Sequence, residues 1–445
     1  MRAEKLWLLP LFLLGVLVVA AACGDDDDDD DGRATPTGGP SVGAVSVIGQ
    51  WGGEELATFE SVVAPWESSE GGELKFVGTR DITSLLTIGF QGGSTPDVAI
   101  PAELGLFQEF ARADALVPLS ACGLEADVRA NYPQGFVDLG TVDGTLYGFW
   151  FKVDGKATIW YDPQFFTDNG YEPLTADSAF EDLLALSQQI EDDGTVAPWS
   201  IGVESGGASG WPASDWLQAI LINNVTDGVA ANDGLIDGTV SWTDPRVKEA
   251  FEKFGEIALE EGWVSQGGGA GINATGFLDA IFPPFGDTPT AAMHHQAGFA
   301  AGEIATQFPS AVAGEDFDFF PWPGGAVIGS GDIVYAFNDD EATCSFMRHL
   351  ASAAAQQIWV EAGFGISANT EVDLDAYPDD VISNAASRLT GAETVRFDLD
   401  DLIGGATQQA IWAGLLGYLA DPGDLDDILA GIQTAAETQR AASES

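Results

Sequence analysis

From residue 44 to residue 111 the chain alternates strand-like and helix-like patterns with a regularity that leaves few folds open. Residues 44–48 (AVSVI) read as a strand, followed by Gly49-Gln50-Trp51-Gly52-Gly53 and a helical stripe of Leu56, Phe59, Val63 and Trp66. Residues 73–77 read as the next strand, and Ile82, Leu85, Leu86 and Phe90 mark the helix after it. A short apolar strand at 97–100 and a helix at 104–111 complete the series. Strand–helix units of about 25 residues predict an α/β fold with a mainly parallel sheet, which places ligands at the carboxyl ends of its strands. Those ends are Gln50-Trp51, Thr79-Arg80-Asp81 and Pro101-Ala102-Glu103.

The stretch 143–164 (DGTLYGFWFKVDGKATIWYDPQ) joins this set to a second one. Two aromatic-rich runs flank the polar residues 152–156, which predicts two strands joined by an extended polar connection where the chain crosses between lobes. Beyond it, Asp177 or Ser178 caps a helix with a stripe of Phe180, Leu183, Leu184 and Ile190, and residues 199–203 read as a strand. Asp244-Pro245 starts a further helix, and residues 291–296 end another strand. Residues 319–323 read as a return crossing, Gly329-Ser330-Gly331-Asp332 precedes a strand at 333–337, and helices dominate from Glu341 onward.

At the N-terminus, Arg2 and Lys5 precede an apolar run ending in Ala20-Ala21-Ala22-Cys23, the pattern of a secretory signal over residues 1–22. The end of that run resembles a bacterial lipobox, departing from it at Ala20, with Cys23 as the lipidated residue. Seven aspartates at 25–31 and a Gly/Pro/Thr-rich segment then form a solvated tether over 23–43. Processing at Cys23 leaves about 420 residues, more than a single core organises and enough for two lobes. With 70 acidic against 16 basic residues and a net charge of −54, the chain repels nucleic acid and anionic lipid surfaces. Membrane contact is then expected through the lipid anchor alone. Cys122 and Cys344 are either one disulfide or two buried thiols, and their spacing does not choose between them.

Aromatic side chains near strand ends offer faces for a sugar ring: Trp51, Trp150, Trp211, Trp216, Trp412 and Phe299. Asp81, Glu103, Asp154, Glu204 and Asp332 are candidate acceptors for hydroxyl groups, and Arg80, Lys156, His295 and Gln296 candidate donors. The few basic candidates, Arg80, Lys152 and Lys156, count against strongly anionic ligands. Adjacent residues on a strand point apart, so His294-His295 does not make a metal site, and no HExxH, P-loop or GxGxxG pattern occurs. Neither a metal nor a cofactor is expected. Carboxylates beside aromatic platforms also describe glycoside hydrolases, which keeps a secreted, lipid-anchored hydrolase as the alternative.

The stretches 78–100, 136–163, 202–216, 329–339 and 394–414 carry a resemblance to the solute-binding lipoproteins of sugar ABC importers, in particular the α-glucoside group and, more distantly, maltose-binding protein. The resemblance implies a two-lobed Venus-flytrap fold of the periplasmic-binding-protein type. Residues 44–154 and 322–365 would form one lobe, and residues 155–321 and 366–440 the other. It implies a non-enzymatic, monomeric receptor, anchored outside the cytoplasm by a lipidated Cys23. This receptor would hand a neutral α-glucoside or related oligosaccharide, or a polyol as a variant, to membrane permease subunits. By the same resemblance the cleft uses Glu204 and Trp211 from one lobe and Asp81 and Glu103 from the other. Trp412 is the stacking aromatic of the tail, and Phe299 stands where maltose-binding protein has a tryptophan.

Overall fold

The computed structural model describes residues 41–443. The lipidation position Cys23 and the aspartates 25–31 lie outside the described residues. The described residues form one compact unit built around two mixed sheets.

The first sheet begins with β1 (Gly43–Gly49), β2 (Gly72–Gly78) and β3 (Val98–Ile100), joined by helices Gly53–Glu70 and Ile82–Gly92. Both β2 and β3 run parallel to β1. A small hairpin, β4 (Thr141–Val142) and β5 (Thr145–Leu146), leads into β6 (Gly148–Lys156). The second sheet contains β7 (Thr158–Tyr161), β8 (Ala197–Ser200), β9 (Ala291–His295) and β10 (Asp318–Pro321), in the order β10-β7-β9-β8. The chain then returns to the first sheet as β11 (Val327–Ala336), and β12 (Val395–Phe397) adds a last strand to it.

Several sequence expectations change here. The strands of the 44–111 series are parallel as expected, but both sheets are mixed once the later strands join: β11 is antiparallel to both β3 and β6, and only β8–β9 is parallel in the second sheet. The polar residues 152–156 are no loose connection but the inner half of β6, whose backbone is paired along β11 from Ile328 to Tyr335. A paired backbone next to buried counter-charges lets a charged run behave as a strand. The crossing narrows to Ala157, at φ 65°, between β6 and β7. In the same way, residues 329–332 lie inside β11. Residues 319–321 belong to β10, paired with β7. The strand expected at 199–203 is shifted to Ala197–Ser200, and β12 interrupts the expected run of helices. The helix Phe180–Asp193 starts two residues past Ser178, with Ala179 as its N-cap, and Asp182 accepts from the Ala179 N–H at 2.8 Å. Asp244 caps its helix as expected, accepting from the Arg246 N–H.

Two large hydrophobic cores result. The first holds Val45, Trp66, Phe107, Phe149, Tyr335 and Trp359, and the second Ile159, Trp199, Trp216, Phe254, Trp322 and Leu415. A third cluster, with Trp160, Phe277, Phe299 and Ile382, lies beside the second. The first core also takes Ala386 and Leu389, and β12 joins the first sheet, although the sequence reading assigned that stretch to the second lobe. A disulfide joins Cys122 to Cys344, both within the first core and separated by 222 residues of sequence. The loop it closes contains the whole excursion from β7 to β10.

Candidate functional site: an acidic, aromatic cavity between the sheets

β6 packs on one edge of β11. The other edge is held by β12 at Val327, Ile328 and Gly329 and by β3 at Tyr335 and Ala336. Between them, Ser330, Gly331 and Asp332 face a cavity of about 90 Å³. That is room for roughly six to nine waters, close to the size of one sugar ring. The carboxyl end of β3 supplies Ala102 and Glu103, the turns after β1 and β2 supply Gln50, Trp51 and Arg80, and the turn after β12 supplies Asp398, Asp400 and Asp401. Trp211, Phe277, Phe299 and Trp412 close it from the second lobe.

The period of two along a strand puts Lys152, Asp154 and Lys156 on one face of β6, all toward this cavity. Each is buried and held. The Lys152 ammonium donates to Glu55 at 2.8 Å, lies 4.0 Å from Asp332 and sits 5.2 Å from the centre of the Phe299 ring. Asp332 accepts from Gln50 Nε2 at 2.6 Å and from Trp51 Nε1 at 3.0 Å. Asp154 accepts from the backbone N–H groups of Gly155, Gly298 and Phe299 at 2.8–2.9 Å, which ties β6 to the start of helix Ala300–Gln307. Burial raises the Asp154 carboxyl to about 6, although Lys152 and these N–H groups pull it down.

Lys156 binds Asp215 at 2.7 Å and also Asp398, with Asp400 and Asp401 close by. Burial alone would lower this ammonium, but the carboxylates outweigh it and hold Lys156 well above its usual value. Burial and the neighbouring Asp398 push Asp400 up. Asp400 also accepts from Ser214 at 3.0 Å and from the Trp412 indole N–H. Glu103 is raised to about 7 by burial, with Asp332 adding to it.

Most of these groups satisfy one another. Three that line the cavity keep a buried polar atom without a partner among the described residues: Glu103 Oε2, Asp398 Oδ1 and Trp211 Nε1. Two acceptors and one donor, set among aromatic rings, match the needs of a neutral polyhydroxylated ring. Lys156 lies 5.0 Å from the centre of the Trp211 ring, and Phe277 packs edge-on against Trp211 at 5.2 Å.

Nine sequence candidates meet in this cavity: Trp51, Arg80, Glu103, Asp154, Lys156, Trp211, Phe299, Asp332 and Trp412. Five do not line it. Trp216 is core, packed on Trp199, Phe254 and Trp322. His295 lies between Trp216 and Trp322, and burial drives its ring well below the usual histidine value. The Gln296 side chain is buried and bonded to the Ala297 N–H, while its carbonyl takes the Trp160 indole N–H. Glu204 is exposed and caps the Gly206 N–H at 2.9 Å. Asp81 sits against Gly207, where an added Cβ would lie 2.9 Å from its carboxylate, so it belongs to the contact between lobes. Trp150, also a candidate platform, is fully buried and donates to the Phe136 carbonyl. Glu55, Phe277, Asp398, Asp400 and Asp401 also line the cavity and were not singled out from sequence. The one visible signal for the aspartates was three carboxylates within four positions beside an apolar helix.

Residues 62–388 match the family model described as bacterial extracellular solute-binding protein. The chain is 34% identical over 382 residues to the osmoprotective compounds-binding protein GgtB of Synechocystis sp., covering 84% of this chain and 88% of that one. It is also 34% identical over 411 residues to the alpha-glucosides-binding periplasmic protein AglE of Rhizobium meliloti, covering 88% and 86%. Among solved structures, a chitin oligosaccharide binding protein superposes with a TM-score of 0.74 at 18% identity, over 89% of this chain and 99% of that chain. That likeness carries the two-lobed fold. The family and these relatives are binding proteins, which removes the hydrolase alternative. The chain belongs to the bacterial extracellular solute-binding protein family, the extracytoplasmic receptors of ABC transporters.

Proposed function

We propose that this receptor captures a small neutral α-glucoside, or a related polyhydroxylated osmolyte, and presents it to the permease of an ABC importer. The observation that carries this reading is the set of unpartnered atoms, Glu103 Oε2, Asp398 Oδ1 and Trp211 Nε1, placed around one ring-sized space walled by Trp211, Trp412 and Phe299. The ring packs its C–H face on an indole while its hydroxyls reach the carboxylates. Seven carboxylates against three cations around the cavity oppose an anionic ligand. The names of the two relatives at 34% identity, one for osmoprotective compounds and one for alpha-glucosides, support the same class of solute. A polyol or other osmolyte is favoured as the second reading by the first of these relatives and by the small cavity.

In this mechanism the lobes turn about the chain crossings near Ala157 and Trp322, and closure excludes water from the ring. Lipidation at Cys23, with the aspartate-rich segment as spacer, would hold the receptor at the membrane beside its permease. Intact-mass measurement of the processed protein tests the anchor: an acylated Cys23 supports it, and cleavage elsewhere without a lipid refutes it. A thermal-shift screen of residues 40–445 against neutral sugars and polyols tests the ligand class, because a ligand that binds only the folded state raises the melting temperature. A rise with α-linked disaccharides or polyols is expected, and no rise with any of them refutes the reading.

A further inference from the structure

The two lobes also meet far from the chain crossings. The chain leaves the first sheet by β6 and returns to it by β11, whereas β2 is the edge strand, three places along from β11. At about 4.8 Å per strand, the turn after β2 that carries Arg80 and Asp81 stands about 14 Å from β11. That turn nevertheless touches the second lobe. The Arg80 guanidinium rests on the Phe277 ring, 4.7 Å from its centre, and its charge acts on the Glu303 carboxyl of helix Ala300–Gln307. Beside it, Asp81 lies against Gly207 in the turn Gly206–Ala208.

At this seam the lobes approach to the limit that the backbone allows. A Cβ built on Gly207 would lie 2.9 Å from the Asp81 carboxylate, 3.0 Å from its Cβ and 3.1 Å from its Cα, and the last two atoms cannot swing aside. Gly206, at φ 58°, is required by its own turn. Gly207 is not: its φ lies outside the left-handed region, so its own backbone would accept a side chain, and only the neighbour across the seam forbids one. Opening by roughly 15° about the crossings would draw the seam apart by about 4 Å, enough to break these contacts.

We propose that Arg80 and Asp81, with Gly207 and Phe277 opposite them, form a clasp: they come together when the lobes close, part when the lobes open, and so set how long an enclosed solute is held. Neither Asp81 nor Gly207 lines the cavity, so both act on retention without touching the solute. Gly207 is a positioning residue, whose missing side chain lets the lobes reach contact. The inference concerns release of the solute and does not depend on which solute it is.

Asp81→Cys combined with Gly207→Cys tests the clasp without a ligand. The built Cβ–Cβ separation of 3.0 Å is about 0.5 Å inside the disulfide range, so the two thiols can bridge when the lobes are closed. After oxidation with diamide, small-angle scattering of ligand-free residues 40–445 should show the bridged variant to be more compact than wild type. Equal radii of gyration, or failure of the bridge to form, overturns the clasp. Gly207→Leu is then followed by stopped flow with maltose as the probe. It should release the sugar about tenfold faster than wild type, with an unchanged urea midpoint, and Gly207→Ala repeats the test should the first variant not fold. Release within about twofold of wild type also overturns the clasp. Absence of maltose binding by wild type would count against the sugar reading, and the scattering comparison would then decide the clasp by itself.

Discussion

Replacing Lys156 by methionine isolates what holds the floor of the cavity together. The ammonium is buried between Asp215, at 2.7 Å, and Asp398, with Asp400 and Asp401 behind them. At an effective dielectric of about 20, one such pair at 2.7 Å is worth about 6 kcal/mol before desolvation. Desolvation of the ammonium takes back several kcal/mol, so the loss on leaving the carboxylates uncompensated is about 3–5 kcal/mol. The loss also depends on pH. Between pH 5 and 8 Lys156 is charged in both folded and unfolded chains, because its folded value is raised. Its own contribution disappears only in strongly alkaline solution. The slope comes from Asp215, which burial raises to about 8 against the pull of Lys156, and from Asp398. Burial would raise the Asp398 carboxyl, but Lys156 and nearby hydrogen bonds outweigh burial and hold it below its usual value. Asp398 therefore stabilises the fold above its unfolded value and loses that effect as pH falls. Without Lys156 both carboxyls rise, so the deficit of Lys156→Met should be largest near pH 8 and shrink toward pH 4.5, where the carboxyls protonate. Urea unfolding followed by tryptophan fluorescence at both pH values measures it. Adding Asp398→Asn should recover part of the loss at pH 8. A deficit under about 1 kcal/mol at pH 8, or one that does not change with pH, would refute this account of the cluster.

Other substitutions probe separate parts of the account. Trp412→Ala should weaken sugar binding by about 2 kcal/mol, roughly thirtyfold, and unchanged affinity in a calorimetric titration would remove Trp412 from the site. Glu103→Gln tests the buried carboxyl raised to about 7: such a group favours folding below its unfolded value and ceases to as pH rises through 7. The variant should gain about 3 kcal/mol on wild type between pH 4.5 and pH 8, and a difference independent of pH would count against it. Replacing Cys122 and Cys344 together by serine should cost about 5 kcal/mol of stability from loop closure over 222 residues. Equal urea midpoints for oxidised and reduced protein would refute that.

The sequence showed the parts of the site that follow from local rules and hid those that depend on topology. Gln50-Trp51, Arg80 and Glu103 were legible because strand–helix alternation marks strand ends, and strand ends form the cleft. Trp211 and Trp412 were legible as aromatics in stretches resembling a known family. The role of residues 152–156 was misread because a charged run looks like a loop until its partners are known: Glu55, Asp215 and Asp398 are 97, 59 and 242 residues away. Asp398, Asp400 and Asp401 were not singled out for the same reason, although all three are buried. Conversely, Trp216 and His295 have the composition of ligand-binding residues but pack on each other and on Trp322, which only the second core reveals. The fold class needed only periodicity, whereas the mixed strand directions followed from β11 returning between β6 and β3.

The central claim is that the space between the lobes binds a neutral polyhydroxylated solute without converting it. The most direct measurement is a calorimetric titration of residues 40–445 with an α-linked disaccharide, with the recovered sugar analysed afterwards. The account predicts saturable one-to-one binding, a negative heat-capacity change from burial of the ring, and intact disaccharide at the end. Saturable binding of an amino acid or peptide, with no heat from any neutral sugar or polyol, would contradict it.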